Sequence, residues 1–244
     1  MPLLGFGTWQ ITGSEATHAA AWALEAGYRH LDTATAYGNE AELGAALRDG
    51  AVAREDLFLT TKLPPDRAGS EVATLRRSLE HLGTDHVDLW LIHWPPDRGA
   101  GLDLWHAFGQ ARADGLTTDV GVSNYSLGQL DELSSAGLTP AVNQIEWSPL
   151  LFDRAVLDGH RERGIVLEGY SALRGGTLEH PVIVAVAERL GRTPAQVIIG
   201  WHLQHGVVVI PKSRDRGRIG SNADVTGKLS DEDMAAIDAL GVQR

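Results

Sequence analysis

The 244-residue chain has no cysteine, a deficit of basic side chains and no long apolar run. Without cysteine there can be no disulfide, no thiolate metal site and no thiol nucleophile, and such a composition suits the reducing cytoplasm. The longest unbroken apolar runs, Ala19–Leu24 and Val182–Ala187, have only six residues. A membrane-crossing helix needs about 20, so no membrane partner is expected. The first Lys or Arg is Arg29, so neither a secretory nor a mitochondrial leader is expected. With 21 basic against 32 acidic side chains the net charge is −11. That balance argues against nucleic acid or any other extended polyanion as a partner. Also missing is a Gly-x-Gly-x-x-Gly fingerprint after a strand; Gly5-x-Gly7 lacks the third glycine and opens no helix. A dinucleotide-binding open sheet is therefore disfavoured. A cytoplasmic monomer is expected.

What is present is a regular alternation. Eight short β-rich runs recur: Leu3–Gly7, Arg29–Asp32, Leu57–Lys62, Val87–His93, Asp119–Ser123, Val142–Glu146, Val166–Tyr170 and Val207–Lys212. Amphipathic stretches separate them. Ser14 precedes an Ala/Leu-rich segment ending at Gly27, and Ser70 opens a run whose Val72, Leu75, Leu79 and Leu82 share one helix face. Asp153 is placed to cap a helix that Gly164 stops, Thr193-Pro194-Ala195-Gln196 reads as a capping box, and Ser230 with Asp233 as another. Strand-then-helix alternation requires parallel pairing, because parallel neighbours need a crossover. Eight units in this length fit one closed (β/α)8 barrel, a TIM barrel, over residues 1–244.

Such barrels place their chemistry at the C-terminal ends of the strands. Those positions hold Asp32, Lys62, His93, Ser123, Asn124, Gln144, Glu146, Tyr170 and Lys212, with Tyr37 on the loop five residues past Asp32. One polar residue at a strand end is usually just solvated. Four together, Asp32, Tyr37, Lys62 and His93, point to a site.

The segments around these residues carry a resemblance: Asp32-Thr33-Ala34-Thr35-Ala36-Tyr37-Gly38-Asn39-Glu40, Thr61-Lys62-Leu63, Leu91-Ile92-His93-Trp94-Pro95, Gly121-Val122-Ser123-Asn124, Asn143-Gln144-Ile145-Glu146 and Ile210-Pro211-Lys212-Ser213. In order and spacing they resemble the aldo-keto reductases, and most closely the small bacterial, diketogluconate-reductase-like members. The resemblance implies NADPH-dependent reduction of a small aldehyde or ketone to an alcohol. It implies Tyr37 as proton donor, and His93 as a hydrogen-bond donor to the carbonyl oxygen. Lys62 beside the phenol would lower its pKa, and Asp32 would keep Lys62 charged.

The resemblance also implies a cofactor site. Ser123, Asn124 and Gln144 would bond the nicotinamide carboxamide and Tyr170 would stack on its ring. Ser171 and Leu173 belong to a short stretch after Tyr170, which implies an abbreviated clasp over the pyrophosphate. Lys212, Ser213 and Arg218 would hold the 2′-phosphate that distinguishes NADP from NAD, with Asn222 near the adenine. Lys212–Arg218 packs four cations and one anion into seven residues of an acidic chain.

Trp9 and Trp94 match positions that line the substrate pocket. Trp147 has no clear assignment, while Trp22, Trp90, Trp105 and Trp201 read as packing. His202-x-x-His205 is read as helix surface and no metal is expected. The chain starts within its first strand, has a brief loop over Pro95–Gly101 and stops four residues after Leu240. An open, shallow pocket with a broad substrate range is expected. Two other functions fit parts of the pattern: a cofactor-binding regulatory barrel with negligible turnover, and a Schiff-base aldolase using Lys62. The second needs a neutral lysine, which Asp32 would oppose.

Overall fold

The computed structural model describes residues 1–241. The last three residues of the expected 1–244 domain lie outside the described ones. Eight strands alternate with helices in one domain. The first half runs β1 (Phe6–Gly7), α1 (Ser14–Glu25), β2 (His30–Asp32), α2 (Glu40–Asp49), β3 (Phe58–Leu63), α3 (Glu71–Leu82), β4 (Val87–Ile92) and α4 (Leu102–Ala113). The second runs β5 (Thr117–Ser123), α5 (Leu127–Ser135), β6 (Val142–Glu146), α6 (Arg154–Glu162), β7 (Val166–Tyr170), α7 (Pro181–Leu190), α8 (Pro194–Gln204) and β8 (Val208–Val209). Two further helices follow, α9 (Arg216–Ala223) and α10 (Asp231–Asp238).

The strands pair in sequence order and all in parallel. Across the seam, Gly5 N donates to Val209 O at 2.9 Å and Val209 N donates to Leu3 O at 2.9 Å. The sheet thereby closes into a barrel. The seam is tight: a Cβ at Gly7 would lie 2.7 Å from the carbonyl oxygen of Ile210. The outer strands are shorter than the sequence predicts. Pro211 has no N–H to donate, so β8 cannot run on to Lys212, and Leu4 contributes only one bridge, to Val209.

The helix starts at Asp153, Thr193 and Ser230 follow the sequence signals, and Ser126 adds one more. Ser126, Thr193 and Ser230 form capping boxes with Gln129, Gln196 and Asp233, and Asp153 accepts from Ala155 N and Val156 N. Ser70 stands at the N-cap of α3 without a side-chain cap bond. Outside the barrel, Trp90 of β4 stacks on Phe108 of α4 with ring centroids 3.7 Å apart.

Because side chains alternate across a strand, residues two apart share the barrel interior. Leu89, Leu91 and Val142 cluster low in it. Beside them His30 meets Phe58 edge-on and Thr60 by a 3.1 Å hydrogen bond. Asp32 and Lys62, two residues further along the same strands, reach the C-terminal end.

Candidate active site

The loop after β2 carries Tyr37 and is held in place by the polar residues around it. Thr35–Tyr37 make one tight helical turn, ended by Gly38 at φ +64°. Thr33 Oγ1 donates to Asn39 Oδ1 at 2.8 Å, and Asn39 Nδ2 donates to the carbonyls of Thr8 and Ile11 at 2.9 and 2.8 Å. Buried Glu40 accepts from Thr61 Oγ1 at 2.6 Å and from Ser78 Oγ at 3.0 Å. Thr33, Asn39 and Glu40 therefore fix the loop that presents the phenol. Sequence reasoning had not singled them out individually, although they stand within the Asp32–Glu40 segment.

Lys62 is fully buried and triply bound. Its Nζ donates to Asp32 Oδ1 at 2.6 Å, Thr33 O at 2.8 Å and Tyr37 Oη at 3.4 Å. Burial alone would push its pKa down, but Asp32, Tyr37 and Glu168 outweigh it and hold the ammonium above its ordinary value. A cation so fixed is no Schiff-base nucleophile, so the aldolase reading fails on geometry.

Tyr37 departs from expectation in one respect. Lys62 does pull the phenol's pKa down, but burial raises it more, with Asp32 and Glu168 adding to the rise. The Asp32 carboxylate 2.6 Å from the ammonium offsets part of the Lys62 charge, and the remainder does not overcome burial. The result is a proton-bearing phenol. His93 follows β4, its N–H bonded to Leu63 O at 3.0 Å, and its ring meets Tyr37 edge-on with centroids 5.6 Å apart. Burial first, then the Lys62 charge, lowers its pKa to about 3. The ring is neutral at pH 7 and can donate one N–H.

These groups open on a cavity of about 910 Å³. Trp9, Tyr37, His93 and Trp94 line one part, and Lys212, Ser213, Arg218 and Asn222 another. Ser123, Asn124, Gln144, Tyr170, Ser171 and Leu173 line it as well. Every residue that the sequence placed in a substrate or cofactor site thus borders this space, except Lys62, which lies behind Tyr37 and Asp32.

Several of these residues are already engaged with one another. Gln144 Nε2 donates to Asp32 Oδ2 at 2.8 Å, leaving its amide oxygen for other partners. Asn124, at φ +64°, accepts from Tyr170 Oη at 2.8 Å and donates to Ser123 Oγ at 3.0 Å. Asn143, one residue before Gln144, braces this turn through bonds to both the N–H and the carbonyl of Tyr125.

The basic segment divides into two pairs. Arg216 bonds Glu25 at 2.8 Å, and Arg214 bonds Gln10 O and lies 3.5 Å from Glu15. Lys212 and Arg218 border the cavity; Arg218 Nε also lies 4.0 Å from Asp215, and burial and the charges of Arg214 and Arg174 lower the Lys212 pKa.

One sequence reading needs correction, and one left open is settled. His202 is not on a helix surface: it is buried, Nδ1 bonded to Ile198 O at 2.7 Å, while His205 bonds Asp238 of α10 at 2.7 Å. The α8 face that carries them packs inward, and polar spacing alone could not reveal that. Trp147 is a core residue, packed edge-on against Phe152 with centroids 5.8 Å apart.

The parallel barrel thus brings Asp32, Lys62, Tyr37 and His93 together at one end. The model of the Aldo/keto reductase family matches residues 3–242. An aldo-keto reductase of Mycolicibacterium smegmatis is 45% identical over 98% of this chain and 90% of its own length. A glyoxal reductase of Bacillus subtilis is 42% identical over 98% of this chain and 89% of its own. The crystal structure of an aldo/keto reductase from Brucella melitensis superposes with a TM-score of 0.92, at 41% identity, covering 98% of this chain and 95% of that one. The chain belongs to the aldo/keto reductase family.

Proposed function

We propose that this protein reduces small aldehydes and ketones to alcohols in the cytoplasm, with NADPH as electron donor and Tyr37 as the acid. The observation that carries the reading is the Tyr37 phenol, backed by Lys62 at 3.4 Å and faced by the His93 ring, at the wall of a cavity that also reaches Lys212 and Arg218. The cavity is of the size that holds cofactor-scale ligands. Its lining supplies an aromatic face in Tyr170, amides in Asn124 and Gln144, and two cations beside Ser213 for a phosphomonoester. These residues fit the cofactor. Ser171 and Leu173 would border its pyrophosphate, and Asn222 its adenine.

When bound, NADPH supplies the hydride for the carbonyl carbon. Everything else falls to the chain. Neutral His93 donates its N–H to the carbonyl oxygen and orients it. Tyr37 hands its proton to that oxygen as negative charge develops there. The phenolate left behind is stabilised by Lys62, whose own charge is secured by Asp32. Gln144 fixes the second oxygen of Asp32, so the carboxylate cannot swing away. Trp9 and Trp94, 42% and 49% exposed, form a wide apolar rim that supports a broad substrate range.

The name of the Bacillus subtilis relative adds small dicarbonyls to the substrates to try first. The test is the loss of NADPH absorbance with a panel of aldehydes, ketones and dicarbonyls. Turnover of several is expected. Tight NADPH binding without turnover of any would overturn the reading in favour of a regulatory barrel.

A further inference from the structure

Below Asp32 and Lys62 the barrel holds a second acid that the reaction above does not use. Glu168, on β7, has no solvent exposure. It pairs in register with Gln144 on β6 and Val208 on β8, neither of which can carry charge. Gln144 approaches it and tempers the rise in its pKa, although one amide N–H of Gln144 goes to Asp32 Oδ2. Among the described residues neither Glu168 oxygen has a hydrogen-bond partner of good geometry, and His30 Nε2 stands 3.8 Å away.

The titratable groups facing Glu168 come from several elements. His30 and Asp32 come from β2, Lys62 from β3, Tyr37 from the loop after β2, and Tyr170 from the same face of β7. His202 of α8 lies behind the adjacent Gly169. His30 is neutral, its pKa lowered to about 3 by burial and then by Lys62. It therefore offers Glu168 no counter-charge. Lys62 is already paired with Asp32. An unbonded carboxylate in such a place is costly, and the acid form is the stable one at neutral pH.

We propose that Glu168 is a positioning residue for proton donation. As a neutral acid it leaves the Lys62 charge to act on Tyr37, and as a carboxylate it opposes that charge, so its ionisation sets the alkaline limb of carbonyl reduction. The proposal rests on Tyr37 being the proton donor. Burial first, then the Asp32 charge, raises the Glu168 pKa to about 8. A negative Glu168 raises the proton affinity of both Tyr37 and Lys62. Above that pH the phenol therefore keeps its proton longer than it would beside a neutral side chain. Reduction, which needs the phenol, extends to higher pH; alcohol oxidation, which needs the phenolate, is held back.

The experiment compares the parent, Glu168→Gln and Glu168→Asp. Measured are kcat against pH in the reducing direction, each profile normalised to its own plateau, and the Tyr37 phenolate absorbance. The latter is taken as a difference from Tyr37→Phe variants and needs no turnover. For a unit charge within about 10 Å at an effective dielectric near 20, the Glu168→Gln limb should lie roughly one pH unit lower. The phenolate titration should move with it, and Glu168→Asp should restore part of the shift. Superimposable profiles and titrations, or a uniform loss at every pH, overturn the proposal. Failure of the parent to reduce any carbonyl while the phenolate titration still shifts would sink the reductase reading and leave the coupling standing. Should Glu168→Gln not fold, infrared spectroscopy of the parent decides. A protonated-carboxyl band at pH 6 that disappears as the pH passes about 8 supports the proposal. A spectrum with no such band overturns it.

Discussion

Replacing Asp32 by Asn removes the only carboxylate bonded to Lys62 among the described residues, with almost no change in shape. Lys62 and Asp32 are both buried, and the 2.6 Å bond between them is the shortest the ammonium makes. In the variant a buried ammonium faces a neutral amide, and the low-dielectric surroundings drive it to release its proton. In the unfolded chain the same lysine titrates near 10.4. Folding with a neutral Lys62 at pH 7 therefore costs about 4.6 kcal/mol, close to the 3–5 kcal/mol typical of breaking a buried pair. For a domain of this size that corresponds to a fall in Tm of roughly 10 °C.

The sign of the pH dependence is fixed as well. The unfolded variant binds one proton more than the folded variant, so the variant gains stability as pH rises. The parent keeps its proton in both states, and its Lys62 contribution is lost only above the unfolded lysine value. The gap between the two should narrow by about 1.4 kcal/mol per pH unit between pH 7 and pH 10. Urea unfolding at pH 7, 8 and 9 measures it. A gap under about 1 kcal/mol at pH 7, or one that does not change with pH, would mean that Asp32 is not what keeps Lys62 charged.

Substituting Lys212 or Arg218 by Ala should weaken NADPH binding by about 10- to 100-fold, while NADH binding changes little. Arg214→Ala and Arg216→Ala, which remove ion pairs to Glu15 and Glu25, should leave that discrimination intact. Fluorescence titration with both cofactors checks the set, and equal losses for NADPH and NADH at Lys212 would defeat the phosphate assignment. Glu40→Ala strands the Thr61 hydroxyl, leaves Ser78 only its bond to Thr35, and should cost about 2 kcal/mol in urea unfolding. It should also lower kcat by loosening the Tyr37 loop; an unchanged kcat would mean that the Thr33 and Asn39 bonds hold the loop without Glu40.

The β/α alternation was legible because parallel strands buried on both faces read as apolar runs, as in Val87–Ile92, and because Asp153, Thr193 and Ser230 announce their helices. The mouth residues were legible because inward positions at strand ends are where polar side chains are tolerated. Less legible was how those residues pair. Gln144 looks like a free amide in the sequence, yet it bonds Asp32 across the barrel, more than a hundred residues away. The raised phenol pKa of Tyr37 depends on burial, which spacing does not report. Glu168 did leave a signal: a lone acid in Val-Leu-Glu-Gly-Tyr, on the same face as Tyr170, is an inward charge in a strand that should be apolar. His202 left none, because a histidine at a buried helix position has the same spacing as one at the surface.

The central claim is that the Tyr37 phenol gives up the proton. Single-turnover oxidation of bound NADPH by a small aldehyde, in the parent and in Tyr37→Phe, tests it most directly. Tyr37→Phe should slow the reaction by about 10²- to 10⁴-fold with NADPH affinity unchanged. A Tyr37→Phe variant that oxidises NADPH at the parental rate would contradict it.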